Sequence, residues 1–158
     1  MYKLLLALAL SAGTVQLAHA DDAAKKAPAA PAKDKDAKPA KSLYERLGKT
    51  PAIKAVVHDF VANCAADKRI NARFAKTKVP AFEKLLVDQV CEATGGPCKY
   101  KGKNMADAHK GMKITEEEWT ATVEDLVKAL DKHKVGQAEK DELLGALGGM
   151  KPDIVTAQ

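Results

Sequence analysis

Residues 42–158 predict an all-α domain, and three observations carry the prediction. Apolar side chains recur at the helical period in one stretch after another. Two capping boxes, Ser42-Leu-Tyr-Glu45 and Thr115-Glu-Glu-Glu118, mark helix starts. No stretch alternates apolar and polar residues as a half-buried strand would, and there is no internal repeat.

The first capping box opens a short helix closed by Gly48. Thr50-Pro51 then reads as an N-cap with a first-turn proline. Behind it Ile53, Val56, Val57, Phe60, Val61 and Cys64 form an apolar stripe that ends near Ala66. A short segment from Ile70 to Phe74 follows. Pro80 starts the next helix, which turns Phe82, Leu85, Leu86 and Val90 inward and stops at Gly95-Gly96-Pro97. A polar, basic loop runs to Asn104, and a short helix carries His109. The second capping box opens what reads as the longest helix, with Trp119, Val123, Leu126, Val127 and Leu130 on one face and Gly136 at its end. A last helix uses Leu143, Leu144 and Leu147 before Gly148-Gly149.

The chain before this domain differs in kind. Residues 1–20, MYKLLLALALSAGTVQLAHA, have the lysine, short apolar run and Ala-His-Ala end of a secretory signal cleaved after Ala20. The run is too short to span a bilayer, so it reads as an export signal and not as a membrane anchor. Residues 21–41 contain only Ala, Lys, Asp and Pro; lacking large apolar side chains, they read as a disordered linker. With the linker's surplus of lysine and Lys3 set aside, residues 42–158 hold about +2 of the formal +5 charge. That balance, without a basic stripe of interleaved aromatics, argues against nucleic acid as a partner. The remaining chain suffices for one domain. The whole sequence has one Trp, three Tyr and three Phe, so the core must rest on aliphatic side chains unless a ligand fills part of it.

Enzyme signatures are mostly missing: no Gly-rich phosphate loop, no GxSxG, no HExxH and no CxxCH for covalent haem attachment. Cys91 and Cys98 bracket a Gly-Gly-Pro turn and are expected to pair in an oxidising compartment, while Cys64 on the first long stripe reads as a buried thiol. Of the four histidines, His19 leaves with the signal and His133 suits a solvated helix end. His58 reads as a surface residue or a pocket edge. His109 shares a helical face with Met105, Ala108 and Met112, so it needs a hydrogen-bond partner or a metal.

"LYERLG", "DFVAN", "RFAKT", "ATGGPCKYKGKNMADAHKGMKIT" and "LLGALGGMKPDIV", in this order over residues 42–156, closely resemble the group I truncated haemoglobins. The resemblance implies a two-over-two helical sandwich around non-covalent haem b, with His109 as the proximal iron ligand. It implies that Phe74 packs on the porphyrin face and that Phe60, Phe82, Leu85, Leu86, Met105, Met112 and Trp119 line the pocket. Lys101 and Lys103 become candidates to pair with the propionates, although plain solvated lysines are the commoner reading there. On the distal side Val61 stands where many relatives have a tyrosine donor, and Leu86 stands where glutamine is common. The expectation is oxygen retention that is weaker or supported differently. Gln89 is the nearest other donor, or else it caps the pocket towards solvent; His58 as a sixth iron ligand would require its helix to rotate.

The function so implied is reversible binding of a diatomic gas (oxygen, nitric oxide or carbon monoxide) opposite His109 by an exported protein of the bacterial periplasm. One alternative is a haem enzyme that oxidises nitric oxide or acts on peroxide with a separate reductase. Another is a haem-free helical interaction module in which His109 is merely buried.

Overall fold

The computed structural model describes residues 41–157. The expected signal at 1–20, and the linker at 21–41 apart from Lys41, lie outside the described residues. Eight helices occur among them: α1 (Leu43–Arg46), α2 (Lys49–Ala66), α3 (Asn71–Phe74), α4 (Val79–Ala93), α5 (Met105–His109), α6 (Glu116–Lys132), α7 (Gln137–Gly148) and α8 (Lys151–Ile154).

Both capping boxes form. In α1 the Glu45 amide donates to Ser42 Oγ at 3.3 Å and the Ser42 amide donates back to the Glu45 carboxylate at 3.1 Å. The chain then turns at Gly48, whose φ of +92° favours glycine; a Cβ there would also stand 2.9 Å from that of Ala52. Gly48 is therefore the N-cap of α2, which starts at Lys49 instead of being capped by Thr50. The Thr50 hydroxyl shares a hydrogen bond of 2.9 Å with Tyr44 Oη instead.

Helix α2 is the spine of the domain because its apolar stripe serves two neighbours, α4 and α6. Ile53, Val57 and Val61 pack with Val87 and Cys91 of α4. Val56 joins Leu126, Ala129 and Leu130 of α6 and Leu143 of α7, and Cys64 joins Ile70 and Ala121. Phe60 packs against all three clusters. The resulting all-helical sandwich sets α2 and α4 against α6 and α7, the two-over-two arrangement. Cys64 is fully buried, and burial pushes its thiol up to about 12, so it stays protonated and unreactive.

Several helix ends fall elsewhere than the sequence suggests. At 18 residues α2, not α6 with 17, is the longest helix. His133 caps α6, and Gly136 begins α7 instead of ending α6, because Lys134 already turns the chain with φ +54°. Helix α8, with Pro152 in its first turn, was not legible as a separate element. It packs on α5, and the Thr156 and Ala157 amides both donate to the Ile114 carbonyl at 3.1 Å. No helix among the described residues is long and apolar enough to cross a membrane.

Cys91 at the end of α4 is bonded to Cys98, as expected. The bridge fastens the loop after α4 to the buried face of that helix, since Cys91 belongs to the α2–α4 cluster. A short closed loop of this kind contributes about 2 kcal/mol. The double variant Cys91→Ser/Cys98→Ser is expected to unfold at correspondingly lower denaturant concentration. Adding a dithiol reductant should shift the unmodified protein by the same amount and leave the variant unmoved.

Candidate functional site

Between the two helical layers lies a cavity of about 860 Å³, within the range of cofactor-sized pockets. Val56, Val57 and Phe60 of α2 form one wall, continued by Phe82, Leu85 and Leu86 of α4. Trp119 and Leu126 of α6 stand on another side, and Met105, His109 and Met112 come from α5 and the turn after it. Phe74 closes the wall beside Phe82, their rings 5.8 Å apart and tilted by 48°. Leu85 is 38 % exposed, which puts it at the opening.

Of the residues expected to line the pocket, all but one do so. The exception is Val61, which is absent from the wall and buried between α2 and α4 with Val57, Val87 and Cys91. Angle alone does not decide this, since Val57 on the same face does line the cavity. Val61 lies one turn further along α2, where that face is packed against α4. Gln89 does line the cavity, but its amide Nε2 is directed at the sulfurs of Met105 (3.5 Å) and Met150 (3.4 Å). His58 is exposed and bonded through Nδ1 to Glu83 at 3.0 Å, which leaves it off the cavity. His133 likewise lies outside, with Nε2 on Asp59 at 2.7 Å.

Helix α5 ends on His109. Asn104 caps it by accepting the Asp107 amide at 2.7 Å, and five residues give the single turn that places His109 over Met105. Nδ1 of His109 lies 2.9 Å from the Met105 carbonyl oxygen. A carbonyl only accepts, so Nδ1 carries the proton and the lone pair of the neutral ring is on Nε2. Nε2 makes no hydrogen bond among the described residues. No group of three or more His, Cys, Asp or Glu there is placed to hold a metal ion. A metal at His109 would thus take one nitrogen from the protein and must bring its remaining donors with it, which is what haem iron does.

The polar groups sit at the edge. Tyr100, Lys101 and Lys103 line the rim, where exposed ammonium groups suit a ligand carrying carboxylates. Glu92 fixes this loop by accepting the Tyr100 amide at 2.9 Å, and Tyr100 Oη donates to the Lys103 carbonyl at 2.8 Å. The Tyr100 amide, and after it the Lys99 ammonium at 3.2 Å, draw the Glu92 carboxyl below its usual range. Arg73 and the capping-box residue Glu118 also stand on the wall, a pairing the sequence does not signal. Arg73 Nε and Nη2 donate to the two carboxylate oxygens of Glu118 at 2.7 and 2.9 Å, which holds that carboxyl below its ordinary range. Nothing in the linear sequence joins residues 45 positions apart.

An all-helical chamber, apolar on its broad faces, cationic at its rim and carrying one imidazole with a free Nε2, defines a globin-type haem protein. The chain belongs to the bacterial-like globin family, whose model matches residues 42–156, and within it to the group 1 truncated haemoglobins. It is 33 % identical over 114 residues to the group 1 truncated haemoglobin of Tetrahymena pyriformis, covering 72 % of this chain and 94 % of that protein. It is 31 % identical over 127 residues to the group 1 truncated haemoglobin GlbN of Mycolicibacterium paratuberculosis, covering 80 % and 93 %. The crystal structure of the Tetrahymena pyriformis protein in its Fe(III) form superposes with a TM-score of 0.70, over 73 % of this chain and 98 % of that one. Truncated haemoglobins bind haem b non-covalently, and the donor set at His109, the apolar faces and the basic rim fit that group.

Proposed function

We propose that this protein binds a diatomic gas reversibly on haem b held by His109, and that it does so outside the cytoplasm, in a bacterial periplasm. The observation that carries the reading is the Nδ1–Met105 bond, which leaves Nε2 as the lone-pair donor of a histidine that lines an apolar cavity. When bound, haem supplies an iron with one coordination position for the gas. The protein's part is to hold one imidazole in one tautomer, to exclude water with aliphatic and aromatic walls, and to meet the propionates with Lys101 and Lys103.

The wall from α2 and α4 also sets which gas stays. Ile53, Val56, Val57, Phe60, Phe82, Leu86 and Val90 offer no donor, and the Gln89 amide faces sulfur. Oxygen, which is retained best when a donor stabilises the charge it acquires, is then released readily. The absence of an acid–base group from this α2–α4 wall argues against peroxide cleavage. Oxidation of nitric oxide would need an external reductase, and no observation of the site favours it over binding. The export signal read in residues 1–20 and the Cys91–Cys98 bridge both support the periplasmic assignment.

The test is an absorption spectrum of residues 21–158 with haem, ferric and then ferrous with carbon monoxide. A Soret band that moves with carbon monoxide supports the reading; failure to take up haem overturns it. Within it, Leu86→Gln places an amide on the wall and is expected to slow oxygen release about tenfold, the worth of one hydrogen bond of about 1.4 kcal/mol. Stopped-flow displacement of oxygen measures this, and an unchanged rate would mean that Leu86 does not face the bound gas.

A further inference from the structure

We propose that Arg73 is a positioning residue for His109, fixing the turn behind the histidine so that the imidazole keeps one orientation; this rests on the reading of His109 as the iron ligand. Helix α5 ends at His109, and the chain to Ile114 follows no regular structure. Two of its residues have left-handed backbones, Gly111 at φ +76° and Lys113 at φ +50°. A Cβ added at Gly111 would meet nothing within 4 Å, so packing does not hold the turn at Gly111.

Hydrogen bonds hold it instead. The Met112 amide donates to the His109 carbonyl at 3.0 Å. The Met112 carbonyl, on the next peptide, accepts from Arg73 Nη1 at 2.8 Å. Downstream, Ile114 is tied to the C-terminal segment by the Thr156 and Ala157 amides. Arg73 cannot swing away, because its other two nitrogens fork onto Glu118. Glu118 is itself fixed by the capping box, accepting the Thr115 amide at 3.0 Å. His109 is thus held from before by Met105 and from behind, through Met112, by a charge-assisted fork anchored on α6. Outer contacts of this kind tune how firmly a histidine holds its metal. Without the guanidinium, the Met112 carbonyl loses its partner and the Gly111 hinge is free to turn.

The test uses the haem-loaded ferrous protein, comparing Arg73→Leu and Arg73→Lys with the unmodified chain. Resonance Raman reads the iron–histidine stretching band, and transfer to an excess of haem-free myoglobin reads the hold on haem. In Arg73→Leu the band should move to lower frequency and broaden, and haem transfer should quicken about tenfold. Arg73→Lys should fall between, because one ammonium reaches the Met112 carbonyl but cannot fork onto both Glu118 oxygens. It also serves where Arg73→Leu fails to fold. A band identical to the unmodified protein's in either variant, even with a lower melting temperature, would reduce Arg73 to an ordinary ion pair and overturn the proposal. An iron–histidine band that survives His109→Ala would instead overturn the assignment of the ligand, and the role of Arg73 would fall with it.

Discussion

His109→Ala is expected to weaken haem binding by at least about 100-fold, the upper end of what losing a mere outer-shell contact does to a metal site. That is about 2.7 kcal/mol or more. The expectation follows from the donor set: among the described residues no cluster of other metal-ligating side chains stands by to replace the imidazole, and the sulfurs of Met105 and Met150 are engaged by Gln89. Helix α5 should survive the change, because its N-cap is Asn104 and His109 is its last residue. The substitution therefore tests the ligand and not the fold. Titration of haem into the variant, followed at the Soret band, measures the loss. Added free imidazole should restore part of the ferric spectrum by entering the space left behind. A variant that keeps the original spectrum and affinity would show that iron is held by another group, and the assignment of His109 would be wrong.

How far the sequence could take this is clearest from individual residues. The stripe from Ile53 to Cys64 was legible because its period is helical and every member but Phe60 is buried. His109 was legible as a histidine set among apolar and sulfur side chains, and Cys91 and Cys98 as a pair flanking a turn. Val61 shows where periodicity stops: it gives one broad apolar face, but α2 divides that face between a cavity and α4, and only packing decides which residue goes where. Gly136 shows the same at a helix end. A glycine there fits either a stop or a start, and the left-handed Lys134 before it made it a start. The Arg73–Glu118 fork and helix α8 were hidden for a third reason. Both depend on contacts between distant segments, whereas local patterns report only neighbours within a turn or two.

The largest loss of stability should come from Phe60→Ala. Three small clusters make up the core, each short of aromatic side chains, and Phe60 is the one residue packed against all of them. Truncating a buried phenylalanine costs about 3–5 kcal/mol. Here the lower end, about 3 kcal/mol, applies, because one side of the ring already faces the cavity. That is a large share of the stability of a domain this size, which is on the order of 5–15 kcal/mol. Haem should offset part of it. A ligand at 100 times its dissociation constant adds about 2.7 kcal/mol to the folded state, provided the variant still binds. Denaturant unfolding with and without haem separates the two effects: the haem-free variant should lose most of its plateau, and the loaded one should regain a cooperative transition. Phe60→Leu, which keeps contact with the clusters, should cost less than half as much. If Phe60→Ala instead unfolds within about 1 kcal/mol of the unmodified chain, the clusters cohere without it, and the cavity wall is carried by the α2–α4 and α2–α6 contacts alone.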